Sequence, residues 1–248
     1  IYVEGANAVI KESDFDDCQA YEGGGAIYAY GNDAQIEDST FNSSTARYGG
    51  AIYLTSWGSS ITRSNITGST ATFNGGGVYV AEGSIQISES NFDDCIASGT
   101  NANYGGGAIY INGPDTHISA SNFSGNRAPN SAARGGAIFI NGERTVIEGS
   151  EFDNSTANNG GVIFIEGKDA IIDTSSFSNS FSKASAGAIY VTGDDATIRL
   201  STFDNITAKA GDGGAIYVKG ERTDILNSTF YNCTVNGKKG GAIYIDDI

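Results

Sequence analysis

Few residues of this chain have the type and spacing that catalysis requires. His117 is the only histidine, and no serine or cysteine stands at the spacing of a histidine-activated nucleophile. Its place before an apolar residue of a predicted strand puts it at the surface. The acidic pairs Asp16-Asp17 and Asp93-Asp94 lie in separate repeats, too far apart to work as paired carboxylates. We therefore predict no catalytic residue, no enzyme activity and no cofactor.

Metal binding has similarly little support. Carboxylate oxygens suit Ca²⁺, so Asp194-Asp195 and Asp246-Asp247 are the two pairs that merit consideration. Each pair stands in a predicted turn, where hydrated acidic residues are common. We favour a solvated acidic turn at both positions and predict no metal site.

The three cysteines share one position of the repeat. Cys18, Cys95 and Cys233 each follow a column aromatic by three residues, in the first, fourth and ninth turns. Separations of three and five turns correspond to roughly 14 and 24 Å, beyond the reach of a disulfide. We expect reduced, buried and inert thiols, and the same distances exclude a shared zinc ion.

Seven Asn-x-Ser/Thr sequons are candidate glycosylation sites. They begin at Asn42, Asn65, Asn122, Asn154, Asn205, Asn227 and Asn232. Asn65 and Asn122 precede an inward aromatic or aliphatic residue, so they should point to solvent, where a glycan can sit. Asn154, Asn205 and Asn232 come just after the aromatic, where asparagine also serves as a left-handed turn residue.

An aromatic column is the candidate partner-binding surface. One ring follows the central aliphatic residue of every repeat, and the alternation of a strand turns it outward. The candidate binding residues in this column are Tyr28, Tyr53, Tyr79, Tyr110, Phe139, Phe164, Tyr190 and Tyr217. Two long loops, from Ser98 to Gly107 and from Pro129 to Gly136, add Tyr104 and Arg134 as contacts. Such a strip suits stacking on sugar faces or packing against another chain, and the alternative is rings that stack on each other beneath the loops.

All of these residues are positioned by one repeat. The stretch from Gly50 to Leu54 returns in near-copies along the whole chain, at intervals of 25 to 31 residues. Its central residues are Ile1, Ile27, Ile52, Val78, Ile109, Ile138, Ile163, Ile189, Ile216 and Ile243. A repeat of this length indicates a solenoid, in which each unit buries its apolar face against its neighbours.

Fixed columns within the repeat predict its architecture. Each central residue is followed nine positions later by an aliphatic residue. A serine comes three positions after that, and Phe or Ile two positions after the serine, as in Ile147, Ser150 and Phe152. Length varies only between a following small residue and the next Gly-Gly-Ala, which is how one loop-bearing corner of a β-solenoid behaves. We predict an all-β, right-handed parallel β-helix of about nine turns with three short strands each. The buried serines must then be hydrogen-bonded.

Composition and charge limit the classes of molecule that can bind this chain. The net charge of −15 opposes binding to phosphate backbones, so we expect no nucleic acid. No apolar run is long enough to span a membrane in this segment, and no export leader stands at its start. We expect residues 1–248 to form a single solenoid domain, a segment of a longer repeat protein or filament.

The repeat resembles a known family. Gly49-Gly50-Ala51-Ile52 and Gly135-Gly136-Ala137-Ile138, together with the Phe-x-x-Asn element Phe123-Ser124-Gly125-Asn126, resemble the polymorphic outer-membrane protein repeat of chlamydial autotransporter adhesins. The resemblance implies a right-handed parallel β-helix displayed outside the cell. In most repeats the second element reads differently, as in Phe152-Asp153-Asn154.

Three functional hypotheses follow. The first is an extracellular, cell-surface structural and adhesive rod, glycosylated and associating with itself end to end or laterally into a filament. The second is a surface adhesin or passenger domain that binds glycans or host surface proteins through the aromatic column and the two loops. The third, a polysaccharide lyase or hydrolase, needs one turn that differs from the rest in a cluster of polar groups, and no turn of the sequence does.

Overall fold

The computed structural model describes residues 1–100 and 104–246 of the chain. Part of the first long loop and Asp247 of the second acidic pair therefore lie outside the described residues. Within them the fold is a right-handed parallel β-helix of about nine turns, as predicted, and each turn is four-sided. We number the sides in chain order from the strand that carries the aromatic column.

Three sides are continuous parallel sheets in exact register from turn to turn. The first sheet contains Tyr2–Val3, Ile27–Ala29, Ile52–Leu54, Val78–Val80, Ile109–Ile111, Ile138–Ile140, Ile163–Ile165, Ile189–Val191, Ile216–Val218 and Ile243–Ile245. The second contains Val9–Lys11, Gln35–Glu37, Ser59–Thr62, Ile85–Ser88, His117–Ser119, Val146–Glu148, Ile171–Asp173, Thr197–Arg199 and Asp224–Leu226. The third contains Asp14–Asp16, Thr40–Asn42, Asn65–Thr67, Asn91–Asp93, Asn122–Ser124, Glu151–Asp153, Ser176–Ser178, Thr202–Asp204 and Thr229–Tyr231.

A fourth side corrects the prediction of three strands per turn. Its strands are Thr45–Tyr48, Thr70–Asn74, Ile96–Ala97, Thr156–Ala157, Phe181–Ser182, Thr207–Ala208 and Thr234–Val235. They form two short sheets joined through Arg127, which bridges to Ile96 on one side and Thr156 on the other. Most are only two residues long, too short to show the alternation of polar and apolar residues that identifies a strand in sequence.

The corners between sides use left-handed backbone, which explains the Gly-Gly-Ala element. Gly135 has φ +63°, and a Cβ there would lie 2.1 Å from the carbonyl oxygen of Ile138. Gly136 has no such φ, but its Cβ would lie 2.1 Å from the carbonyl oxygen of Gly161 in the next turn. The first glycine therefore permits the corner, and the second permits the close approach of the stacked turn.

The core consists of stacked identical side chains. Phe123, Phe152 and Phe177 are at most 1% exposed, and their rings stack with centroids 4.7 and 4.9 Å apart. Ile118 and Ile147 stack likewise in the second sheet and are fully buried. Each such side chain contributes about 2 kcal/mol through burial of apolar area.

The serine column is satisfied as predicted, through a repeating two-bond pattern. Ser121 Oγ donates to the carbonyl oxygen of Ser119 at 2.8 Å and accepts the backbone N–H of Ser90, in the preceding turn, at 3.2 Å. The same arrangement recurs from Ser39 to Ser201. Each serine of this column from Ser39 to Ser201 therefore joins its own turn to the one before it.

Candidate functional site

The aromatic column lies on the outside of the first sheet, as predicted, but its rings stack on one another. Tyr79 and Tyr110 have centroids 5.1 Å apart with planes inclined by 15°, and Tyr190 and Tyr217 are 4.5 Å apart at 18°. Tyr28 and Tyr53 stack in the same way. Neighbouring turns thus occupy the ring faces and leave the edges and hydroxyl groups toward solvent.

In the middle turns the column is buried. Phe139 is 0% exposed and Phe164 is 3% exposed. The Arg134 guanidinium lies 4.7 Å from the Phe164 ring centroid and forms an ion pair with Glu166. Arg134 therefore covers these rings and is itself neutralised, which leaves neither its charge nor the two rings free for a ligand.

Of the two arrangements that the sequence suggested, the rings adopt the second, in which they stack on each other and their faces are not open to sugars. Tyr28, Tyr53, Tyr79 and Tyr190 remain half-buried, and partner binding through their edges stays a prediction. Burial raises the pKa of Tyr110 to about 12, and it raises the pKa values of Tyr53 and Tyr79 above their ordinary value as well. The column is therefore a neutral, hydroxyl-edged ridge at physiological pH.

The two long loops leave adjacent turns at the same corner, as predicted. The backbone N–H of Arg134 donates to the carbonyl oxygen of Tyr104 at 3.1 Å. Their side chains diverge, however, because Tyr104 stacks on Phe73 at 4.8 Å while Arg134 extends to Phe164. The structure therefore joins the loops without bringing the two predicted contact residues into one pocket.

All seven sequon asparagines lie on the third side or its two corners. Asn42, Asn65 and Asn122 are in strands of the third sheet, Asn227 is at the corner before it, and Asn154, Asn205 and Asn232 are at the corner after it. Asn42 is half-buried and the other six are exposed. The four corner asparagines have φ between 48° and 56°, which for Asn154, Asn205 and Asn232 is the left-handed turn role that the sequence suggested as an alternative. The sequence does not show this grouping until the corners are known.

The exposed asparagines of the third sheet are ordered by their neighbours. Asn122 Nδ2 donates to Asn91 Oδ1 at 2.9 Å, and Asn91 Nδ2 donates to Asn65 Oδ1 at 2.7 Å. A glycan on Asn122 or Asn65 would replace one amide hydrogen and leave the other for such a bond. Asn205 and Asn232 occupy one corner in consecutive turns, roughly 4.8 Å apart, where two glycans would crowd each other.

The remaining chemical candidates occupy structural positions. His117 Nε2 lies 3.0 Å from Glu148 Oε1 on the exposed face of the second sheet, in agreement with a surface role. The three cysteines are free, but only Cys95 is buried as expected, whereas Cys18 and Cys233 near the two ends of the rod are half-buried. Burial raises the pKa of the Cys95 thiol to about 12 and that of Cys233 to about 11. Among residues 1–100 and 104–246, no group of three or more metal-ligating side chains converges.

Arginine–aspartate pairs join consecutive turns, which was not predicted from the sequence. Arg222 binds Asp195 through two nitrogens at 2.6 and 2.8 Å, and Arg144 binds Asp115 in the same way at 2.7 and 3.1 Å. Asp194, the neighbour of Asp195 in the first acidic pair considered for Ca²⁺, lies 3.5 Å from Lys168. The guanidinium of Arg222 holds the pKa of Asp195 below its ordinary value. That acidic turn is thus paired with cations rather than merely solvated.

Comparisons with known proteins bear on the repeat and on the fold. No curated protein matches the chain. A solved structure described as a mannuronic acid specific polysaccharide family 6 lyase from human gut microbiota aligns with 14% identity and a TM-score of 0.47, over 96% of this chain and 71% of that one.

No helix of the described residues is long and apolar enough to cross a membrane.

The match to a repeat family falls on the eighth turn and the start of the ninth. Residues 201–219 match the Chlamydia polymorphic membrane protein repeat. This segment contains the core residue Phe203 and the Gly213-Gly214-Ala215-Ile216 element. The repeat of this chain is therefore similar to the Chlamydia polymorphic membrane protein repeat, as its Gly-Gly-Ala-Ile and Phe elements predicted.

Proposed function

We propose that this protein is a structural and adhesive rod of the cell surface. The observation that carries the proposal is the unbroken first sheet, in which ten strands stack in register from Tyr2–Val3 to Ile243–Ile245. At roughly 4.8 Å per turn this gives a body on the order of 45 Å long. Nearly every column serves the stacking of turns, which is the property that a rigid spacer needs.

The contacts between turns support a mechanical role. Serine hydroxyls bond the backbone of successive turns inside the core, and Arg–Asp pairs join them at the surface. The aromatic column adds stacked rings outside the first sheet. Because these contacts repeat along the axis, separating any two turns breaks several of them together.

An extracellular location is supported by two observations. The eighth turn is similar to a repeat named for a membrane protein, and seven sequons project from one side of the rod. Glycans there would coat the third side and leave the first and second sides bare. We propose that the sequons are used when the chain passes through a glycosylating secretory route.

Surface labelling of intact cells tests the proposed function. Antibodies raised against the folded chain should label the cell exterior, and protease added to intact cells should remove the signal. Cells lacking the gene should attach less well to their natural surface, and attachment should return when the gene is restored. Signal confined to permeabilised cells, with unchanged attachment, would refute the proposal.

Adhesion through an exposed aromatic cluster is the second candidate. Tyr21 is 82% exposed, and the Arg47 guanidinium lies between the Tyr21 and Phe73 rings at 5.4 and 4.7 Å. Tyr104 stacks on Phe73 beside them. Glycans or host surface proteins are the partners proposed for this cluster, since an exposed ring beside a cation suits both. The Tyr21→Ala variant should lower attachment without lowering the unfolding temperature, and equal attachment of the variant and the wild type would exclude the cluster.

A further inference from the structure

The fourth side carries positive charge that no carboxylate among the described residues neutralises. Its exposed cations in turns five to nine are Arg127, Lys183, Lys209, Lys238 and Lys239. Within the described residues, none of the five has a carboxylate oxygen within 4.0 Å, although most cations of the other sides are paired. Asp212 is the only acidic residue on this side between residues 125 and 241. We call these five residues the basic strip.

Contacts within the strip leave its charge uncompensated. The backbone N–H of Lys209 donates to the carbonyl oxygen of Ser182, which places Lys183 and Lys209 in neighbouring turns roughly 4.8 Å apart. Like charges at this spacing repel each other. Lys209 Nζ rests 4.1 Å from the Phe181 ring centroid, and Lys183 Nζ donates to the carbonyl oxygen of Pro129. A ring and a carbonyl orient these ammonium groups but do not neutralise them.

The third side carries the opposite charge, also unpaired. Its acidic residues, in the strands and at the following corner, are Asp14, Asp16, Asp17, Asp93, Asp94, Glu151, Asp153 and Asp204. The strands of this sheet contain no lysine or arginine, and within the described chain none of the eight takes part in an ion pair. Outward side chains on a regular sheet present these carboxylates on a flat surface. We call these eight residues the acidic face.

The two surfaces cannot neutralise each other within one rod. They are adjacent sides of the turn, separated by a left-handed corner that includes Asp17, Asp94 and Asn154, so they face different directions. A second copy lying alongside can present its acidic face to the basic strip. We propose that rods of this protein associate laterally, with the basic strip of one copy docked on the acidic face of another. This inference rests on the proposed function and names a partner of the rod.

The geometry determines the kind of assembly. Because different surfaces meet, the contact is heterologous and each docked copy leaves one strip and one face free for further copies. A strand of three residues is about 10 Å wide, so contact along the whole 45 Å rod would bury about 450 Å² per partner, and contact along the five turns of the strip about half of that. That is well below the roughly 800 Å² per partner of a stable complex, so the association should be weak and sensitive to salt.

Glycosylation of the sequons would regulate this lateral contact. Six of the seven are on the third sheet or at the corner that borders the fourth side, among the carboxylates of the acidic face. A bulky neutral glycan at Asn122 or Asn154 would hold a second rod away from Glu151 and Asp153. The lateral contact therefore belongs to chains made without the glycosylating secretory route, and glycosylated rods would stay separate.

Charge exchange between two variants tests the proposal. The chain is prepared in a host without N-glycosylation, and its mass is measured by sedimentation over a range of concentrations in about 50 mM and about 500 mM salt. One variant carries Lys183→Glu and Lys209→Glu, and the other carries Glu151→Lys and Asp204→Lys. Lys168→Glu with Lys219→Glu provides a control of equal charge change away from the strip.

Wild-type chain and the control should associate at low salt, with association constants at least tenfold lower at high salt. Each exchanged variant alone should associate more weakly than the wild type, because the two reversals cut the five positive charges of the strip to a net of one, or the eight negative charges of the face to a net of four. Their equimolar mixture should associate again, because one variant keeps the native face and the other keeps the native strip. If association returns in the mixture, both variants must be folded, so loss of association in either one alone is not caused by unfolding. Monomeric wild type at low salt, or a mixture that stays monomeric, would overturn the proposal.

Binding of heparin to the strip of a monomeric wild type would assign the strip to an anionic polysaccharide instead. Because the purified chain is used, none of these results depends on whether the cells display it, so failure of this inference is distinct from failure of the proposed function.

Discussion

The serine column offers a sharp test of how the turns are held together. In the Ser121→Ala variant the buried backbone N–H of Ser90 loses its acceptor, Ser121 Oγ, at 3.2 Å. The carbonyl oxygen of Ser119 loses one donor but keeps the N–H of Glu89 at 3.2 Å. The main cost is therefore one orphaned buried amide, about 1–3 kcal/mol. For a chain of this size that corresponds to a fall in melting temperature of roughly 2–12 °C.

Ser13 supplies the matched control. Its hydroxyl donates to the carbonyl oxygen of Lys11 at 2.9 Å in an exposed setting, so Ser13→Ala should change stability by less than about 0.5 kcal/mol. Thermal unfolding of both variants followed by circular dichroism measures the difference, and hydrogen exchange at the Ser90 amide should accelerate only in Ser121→Ala. Equal melting temperatures for the two variants would refute the hydrogen-bonded column as a source of stability.

Three further predictions concern the core, the tyrosines and the sequons. Phe152→Ala should lower the free energy of unfolding by about 3–5 kcal/mol, because it opens a cavity in a stacked column. Tyr21→Ala, at an exposed position, should change it by less than about 0.5 kcal/mol. Similar denaturation midpoints for the two variants would contradict this prediction. The pKa of Tyr110 is raised to about 12, so stability should be complete below pH 10 and decline as pH rises toward 12; absorbance that reports ionisation of every tyrosine near pH 10 in the folded protein would disagree. In a glycosylating host, peptide masses should show glycans on the exposed Asn65 and Asn122, and bare asparagines at both would remove the proposed sugar coat.

The inward columns of the rod could be predicted because their spacing never changes. Ile147, Ser150 and Phe152 stand at fixed offsets in every turn, and only side chains that meet their own copies in the next turn require such constancy. The same constancy placed the variable loops at one corner. Fold, register and the satisfied serines all follow from this single regularity.

The outer surfaces were less predictable because they depend on contacts between turns that share no motif. Arg134 covers Phe164, which lies 30 positions later in the chain, and neither residue type predicts this contact. Arg222 and Asp195 are likewise 27 residues apart, and only the register of the corner brings them together. Stacked rings were one of the two predicted arrangements of the aromatic column, but periodicity does not specify the tilt between rings such as Tyr79 and Tyr110.

The exact register of the turns also bears on how such a chain can change in evolution. Each turn presents the same columns to its neighbours, as with Ile138 on Ile163 and Phe152 on Phe177. Unequal recombination between the coding segments of two turns therefore removes or adds a whole turn, while the new neighbours meet through the same stacked side chains. Rod length can thus vary between relatives in discrete steps without redesign of the core, and charges or sequons on the outer sides can be gained turn by turn.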